Sequence, residues 1–323
     1  MFLSFHHFVE EFIREIKLYF PEEKYELISN QVIKNNHTLK YALEIRSKSL
    51  NMSPNYYMEG YYEDYKQGRS ISSLAESMKN SYLSFEKEYV HEAEIPLDKY
   101  WAKERIICQL VHAQKNQEIL LHTPYFPLED LAVVFYLLVE QREHQIGSIR
   151  IDNSLLERIH YTKEELLSLA LENMPKIFPL YFCKITDIIC KYPSLERPEN
   201  TFYFPENNAK NALSGFLQKK IKEGEDFSPI YVITNVSGIN GASAVLYPYL
   251  LEELAEIFMG SYYLIPSSIH EMLVLPKSSE ITVKSINAMI NEVNEQNVAA
   301  EEVLSDHVYL YDYALKKLIS RCS

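Results

Sequence analysis

The run Ser267-Ser268-Ile269-His270-Glu271 places two hydroxyls, an imidazole and a carboxylate in one short corner. Such a set offers a hydroxyl nucleophile, Ser267 or Ser268, with His270 as its base. A second reading is structural, because serine hydrolases on open sheets set the nucleophile in a G-x-S-x-G elbow that this corner lacks. Side chains adjacent in sequence also diverge in space, so adjacency alone makes no dyad. The corner is therefore read as a strand turn whose hydroxyls bond the backbone, with Ser267, Ser268 and His270 kept as the alternative catalytic set.

Tyr56, Tyr57, Tyr61, Tyr62 and Tyr65 form the densest aromatic cluster in the chain. A tyrosine joins a large apolar face to a polar tip, which suits core packing and partner contact alike. Glu59, Glu63 and Asp64 surround the cluster, a poor field for nucleic acid. The working surface is assigned to Tyr57, Tyr61 and Tyr62, with a protein as the partner.

Other candidates fall short of a site. His6-His7 with Glu10 and Glu11 supplies too few ligands at helical spacing, and Glu301-Glu302 with Asp306 and His307 has the same weakness. Ser237-Gly-Ile-Asn-Gly-Ala-Ser243 lacks the lysine of a phosphate loop and the third glycine of a dinucleotide turn, so Asn240-Gly241 reads as a hairpin turn. No metal and no cofactor is expected.

The elements that would position these residues follow from period and punctuation. Phe5, Phe8, Phe12, Ile16 and Tyr19 recur at helical spacing before Pro21. Residues 25–33 and 38–45 flank Lys34-Asn-Asn-His37 as a hairpin, and Pro54 to Met58 extends it as a third strand, since Gly60 disfavours an earlier helix start. Helices are expected over 61–66 and from 70 or 71 to about 90, with contacts at Leu74, Met78, Leu83 and Phe85. Strands follow at 105–111, 131–139 and 146–151, with a helical turn over 116–121. Helices then occupy 153–159 and 162–174; the latter opens with a Thr162/Glu165 capping box and is broken by Pro175 and Pro179. A helix over 208–223 precedes a stretch whose period switches repeatedly. There, 230–234 and 242–246 read as a first hairpin, Pro248 to Gly260 as a helix, and 262–265 with 271–275 as a second hairpin. The tail gives a helix over 281–297 and a last strand at 308–311. The fold class is α+β, a mixed but largely antiparallel sheet with helices packed on it.

His91 to Pro96 is polar and ends in proline, which divides the chain into an N-terminal helix–hairpin–helix lobe over 1–95 and a larger α+β lobe over 96–323. Residues 192–207, with Pro193, Pro198 and Pro205, form a second linker or a long loop. With 323 residues, 47% of them hydrophobic, the chain can bury a full core, and its net charge of −13 disfavours nucleic acid and anionic membranes. Leu131 to Val139 is the longest apolar run, well short of the roughly 18 residues of a membrane span. The apolar N-terminus is interrupted by Glu10, Glu11, Arg14 and Glu15 and carries no cleavage site. Cys108, Cys183, Cys190 and Cys322 are too scattered for a disulfide scaffold and read as reduced thiols of a cytoplasmic protein.

Several segments recur together in a known order. They are Pro54-Asn-Tyr-Tyr-Met-Glu-Gly-Tyr-Tyr-Glu-Asp-Tyr-Lys-Gln-Gly68, Asp130-Leu-Ala-Val-Val-Phe-Tyr136 and Glu164-Glu-Leu-Leu-Ser-Leu-Ala-Leu-Glu-Asn173, followed by Ala244-Val-Leu-Tyr-Pro248, Ile265-Pro-Ser-Ser-Ile-His-Glu-Met-Leu-Val274 and Val303-Leu-Ser-Asp-His-Val-Tyr309. This order resembles an uncharacterised bacterial family of domain-of-unknown-function proteins over nearly the whole chain. The middle and C-terminal parts are also distantly similar to the YtpQ-like family. The resemblance implies an intracellular setting and this element order, and it carries no catalytic residue. The expected function is that of a non-enzymatic interaction or regulatory protein acting through a tyrosine-rich or sheet-edge surface. A hydrolase or transferase with a site assembled from separate segments is the alternative, and a deep pocket with convergent titratable groups would mark it.

Overall fold

Apolar side chains four residues apart share one helical face, and Phe8, Phe12 and Ile16 are fully buried in the computed structural model of the chain. The structure describes residues 2–48, 50, 53–89, 97–142, 145–186, 201–202, 215–216, 218–219, 230–277 and 281–321. The linker expected at 91–96 lies outside them, as does most of 192–207 and of the helix expected over 208–223. Two compact units are present, Met1–Pro96 and Leu97–Ser323.

In the first unit, helix α1 (Phe5–Lys17) starts at Ser4, whose hydroxyl accepts the His7 N–H. Strands β1 (Tyr25–Ile33), β2 (Leu39–Ser47) and β3 (Asn55–Tyr57) make an antiparallel sheet in the order β1-β2-β3. Helices α2 (Met58–Lys66) and α3 (Ile71–Tyr89) follow. Helix α2 begins ahead of Gly60, earlier than its sequence suggests. On α3 the buried positions among the described side chains are Leu74, Ala75, Met78 and Tyr82, whereas Leu83 is exposed. The face advances by four residues from Met78, and that step reaches Tyr82. These residues pack with Phe8, Phe12, Phe20, Leu43 and Ile45 into one core.

The second unit opens with α4 (Lys99–Lys103), whose Trp101 ring lies 4.6 Å beneath the Arg105 guanidinium. Next come β4 (Ile106–His112), a 3-10 turn (Gln114–Asn116), α5 (Gln117–Leu120), β5 (Tyr125–Leu128), β6 (Leu131–Arg142) and β7 (Gln145–Arg150). Strand β6 is the spine of this four-stranded sheet and pairs antiparallel with β4, β5 and β7. Helices α6 (Asn153–Ile159) and α7 (Lys163–Ile177) follow, and the Thr162/Glu165 capping box forms. Pro175 does not end α7 but lies buried inside it. Proline removes one donor and the helix still runs on to Ile177, because Met174, Pro175 and Phe178 are buried and packing holds the last turn.

Strands β8 (Leu180–Lys184), β9 (Thr201–Phe202), β10 (Tyr231–Asn235), β11 (Tyr262–Ser268), β12 (Glu271–Pro276), β13 (Val308–Asp312) and β14 (Lys317–Arg321) make a seven-stranded sheet. Its order is β14-β13-β11-β12-β10-β8-β9, and every ladder in it is antiparallel. Helices α8 (Leu250–Ile257) and α9 (Val283–Gln296) also belong to this unit. Strand β14 went unread in the sequence, where Lys316-Lys317 hides a short alternation. The fold is α+β.

The hairpin expected over 230–246 is overturned as well. Gly241–Leu246 is a 3-10 helix and not a strand, so 230–246 makes no hairpin. A short buried apolar run has the same composition in either form, and Gly241 to Val245 are all buried. Asn240 takes a positive φ of 52° without leading into a strand. Ser243 in this helix accepts the Leu110 N–H at 2.9 Å, which closes the outer edge of β4. The main core fills the space beneath both sheets, with Phe135, Leu166, Phe182, Tyr231, Leu254, Leu264 and Tyr309 in one cluster. On the far face of the seven-stranded sheet, Tyr263, Ile265, Leu275 and Leu310 pack under Ile286 and Ile290 of α9. Alternate residues of β11 thus serve opposite faces, as strand geometry requires.

Candidate functional site

Strand β4 is apolar from Ile106 to Val111 apart from Gln109, and it ends at His112, opposite Leu131 of β6. Strands β5 and β6 are joined by Glu129-Asp130, with Glu129 in left-handed backbone at φ 56°. His112 and Asp130 therefore stand at the same end of the four-stranded sheet. The 3-10 turn and α5 cross that end, tied by the Ala113 N–H to the Asp130 carbonyl at 2.9 Å and by Asn116 Nδ2 to the His112 carbonyl at 2.8 Å. Between them lies an open cleft of about 710 Å³, lined by His112, Gln114, Gln117, Glu118, Leu120, Leu121, Tyr125 and Asp130.

The chain returns to this end just before and within β13. Asp130 Oδ1 accepts the Tyr309 hydroxyl at 2.6 Å, and its Oδ2 accepts the Ser305 hydroxyl at 3.1 Å. His307 Nε2 is 3.3 Å from the same Oδ1, outside hydrogen-bond alignment. Asp306 approaches from the other side, 3.9 Å from His112 Nε2 and 4.0 Å from Lys115 Nζ. Burial, reinforced by the Asp130 charge, raises the Tyr309 hydroxyl above its ordinary pKa, so it remains a donor. Burial and then the Lys115 charge lower the pKa of His112. Its Nδ1 accepts the Lys115 backbone N–H at 3.4 Å. That contact assigns the single proton of the neutral ring to Nε2.

The corner at 267–271 is arranged differently. His270 Nδ1 accepts the Asn240 N–H at 3.1 Å, and its Nε2 lies 3.3 Å from Glu302 Oε1. The Ser268 hydroxyl accepts the His270 backbone N–H at 3.0 Å, and the Ser267 hydroxyl donates to Glu271 at 3.0 Å. Both imidazole nitrogens thus face groups other than serine. Thr234 Oγ1 donates to the His270 carbonyl at 2.7 Å. A Cβ at Gly241 would fall 2.0 Å from Thr234 Oγ1 and 2.5 Å from the His270 carbonyl, so only glycine fits beneath the corner.

In the first unit, Tyr57, Tyr61 and Tyr62 are all half-buried. Lys34 Nζ sits 4.1 Å above the Tyr57 ring, and Tyr61 packs on Phe12 with its hydroxyl pushed up to about 12 by burial. Tyr62 packs on Phe5 and Phe8, and its hydroxyl donates to the Leu3 carbonyl at 2.7 Å. His6 and Glu10 approach to 3.4 Å, Glu11 pairs with Arg14, and His7 Nδ1 meets the Ser4 hydroxyl. Among the described residues no group of three or more His, Cys, Asp or Glu side chains is placed to hold a metal ion. Cys108 and Cys183 are buried and in no assigned disulfide, with the Cys108 thiol pushed up to about 12 by burial, and Cys190 and Cys322 lie outside the described residues. Among the described residues no helix is long and apolar enough to cross a membrane.

His112, Asp130, Ser305 and Tyr309 were not singled out in the sequence. The available signal was weak: a histidine ending an apolar strand and an acidic pair at a hairpin tip. Comparison with known proteins adds no mechanism. Neither a curated protein nor a solved structure matches the chain. The likeness to the YtpQ-like family is not among the matches. The match that does exist runs from residue 5 to residue 313, nearly the whole chain, and on it the protein belongs to DUF5688, a family of unknown function.

Proposed function

We propose that the protein binds a small polar molecule in the cleft beside His112 and Asp130. One observation carries this reading: a cleft of about 710 Å³ joins an apolar wall of Leu120, Leu121 and Tyr125 to the polar groups of His112, Gln114, Gln117 and Asp130. That size and that mixture are typical of sites for small ligands. The Nε2–H of a neutral His112 serves as a donor to an acceptor on the ligand. A hydrolase or transferase is the second reading, favoured by the same imidazole, which has a proton to give and a carboxylate, Asp306, beside it. A cytoplasmic setting is part of the proposal and fits Cys108 and Cys183, which are in no assigned disulfide.

The non-enzymatic interaction role is carried less well by Tyr61 and Tyr62, whose rings pack against the first unit's own core, whereas Tyr57 lies outside that cluster under Lys34. Thermal-shift measurements with amino acids, dicarboxylic acids, sugar phosphates and nucleosides test the proposal. At least one class is expected to raise the melting temperature of the native chain and to lose that effect in Gln117→Ala. No shift from any class, or a shift that Gln117→Ala leaves intact, overturns the cleft as the site.

A further inference from the structure

The outer edge of β1 is built to pair with another strand. β1 is nine residues long, its register against β2 is unbroken from Tyr25↔Ser47 to Ile33↔Leu39, and no described strand covers its other side. Its sequence, YELISNQVI, has no proline and no lysine, and the ladder has no bulge. Those are the usual devices that keep a sheet edge from adding strands. The contrast with β4 is direct. The outward amides of β4 are closed within the chain, Cys108 N–H by Met174 Sδ at 3.3 Å and Leu110 N–H by Ser243 Oγ at 2.9 Å.

The direction of the free amides follows from two bonds that continue the β1–β2 register. Lys34 N–H donates to Thr38 at 2.7 Å and Lys48 N–H to Lys24 at 3.1 Å. Antiparallel partners exchange bonds at every second residue, so even-numbered residues of β1 face β2. The odd-numbered residues turn their N–H and C=O outward. The Tyr25 N–H is taken by the Pro21 carbonyl at 3.0 Å. Leu27, Ser29, Gln31 and Ile33 remain as consecutive outward steps.

We infer that this edge pairs with the same edge of a second copy of the chain, antiparallel, about a two-fold axis at Asn30. In that register Leu27 faces Ile33, Ser29 faces Gln31, Ile28 faces Val32 and Glu26 faces Lys34. Apolar residues meet apolar ones, polar residues meet polar ones, and Glu26 stands opposite Lys34 at both ends once the Lys34 ammonium turns from the Tyr57 ring. The bonded pairs fall on the odd residues, whose amides point outward, and give about eight backbone bonds. An axis at Ser29 instead sets Leu27 against Gln31 and Lys24 against Lys34. An axis at Ile28 sets Leu27 against Ser29. The Asn30 axis satisfies both charge and polarity, and the two three-stranded sheets become one continuous sheet.

The full-length chain tests this by analytical ultracentrifugation and by cross-linking. Asn30 falls in a non-bonded pair across the axis, where Cα atoms approach to about 4.5 Å, close enough for a disulfide. Asn30→Cys is expected to give a covalent dimer on a non-reducing gel, and Gln31→Cys, whose partner is Ser29, is not. Glu26→Lys is expected to raise the dimer dissociation constant about tenfold, and the Glu26→Lys/Lys34→Glu pair to restore it. Ser29→Pro removes an outward donor without touching the β2 ladder and is expected to leave a folded monomer by circular dichroism. A native chain that is monomeric at about 100 µM with no Asn30→Cys cross-link overturns the inference. So does a dimer that survives Ser29→Pro, or an edge that takes up a different protein while the chain stays monomeric.

Discussion

Two regions of the larger unit contain the same ingredients, an imidazole, carboxylates and hydroxyls, and use them in opposite ways. At the 267–271 corner the groups are neighbours in sequence, and they bond the backbone or each other within a closed turn. At the end of β4 the groups come from three separate segments, around residues 112, 130 and 305–309, and one side borders an open cleft. Local sequence builds turns, because short polar side chains reach the backbone beside them first. Groups that converge from distant segments are held by sheet topology; here Ser305 and Tyr309 are fully buried, while His112 and Asp130 line the cleft.

The strongest way to break the contrast is to disturb the closed corner. Gly241→Ala forces a Cβ into Thr234 and the His270 carbonyl and is expected to cost about 3 kcal/mol in urea unfolding. A near-neutral result would mean that the corner is loose and its hydroxyls available. Asp130→Ala removes the acceptor of the buried Tyr309 and Ser305 hydroxyls and is expected to cost about 2 kcal/mol, with Asp130→Asn intermediate because one acceptor survives.

A smaller effect comes with pH. The pKa of His112 lies below its ordinary value in the folded chain, so the unfolded chain binds more protons near pH 6. Its contribution to stability is full above the unfolded pKa of about 6.5 and is lost progressively as pH falls from there through the lower folded value. Comparing the urea midpoint at pH 7.5 and 5.5 in the native chain and in His112→Gln isolates this part, and the variant should show the shallower fall. An equal fall in both would mean that His112 is no more sheltered than a surface histidine. The smallest effect belongs to Ser267→Ala, expected to change stability by less than about 1 kcal/mol and to leave cleft binding unaltered, since the Ser267 hydroxyl donates to Glu271 in the half-buried turn.

Much of the fold was legible because punctuation and period agree. Thr162 caps a helix that its apolar spacing also marks. The β1–β2 hairpin reads from its alternation and from Lys34-Asn-Asn-His37. The failures share a physical cause. Gly241–Leu246 was read as a strand and Pro175 as a break because burial, which is invisible in a short apolar run, decided both. The tyrosines stood out by density, and Tyr56, Tyr61, Tyr62 and Tyr65 pack in or against the first unit's core while Tyr57, Tyr61 and Tyr62 stay half-buried. The His112–Asp130 site did not stand out, since its members lie far apart along the chain and only the sheets bring them together.

The two-residue turn Glu129-Asp130 has a consequence for engineering. Hairpin tips are ordinarily where a chain accepts inserted tags, permuted ends or grafted loops. Here lengthening the tip would swing the Asp130 carboxylate away from Tyr309 and Ser305 and strand two buried hydroxyls. No residue of the loop over Asn35–His37 is buried. Of these two hairpins, the first unit's is the one to open for a reporter, and the one beside the cleft is the one to leave closed.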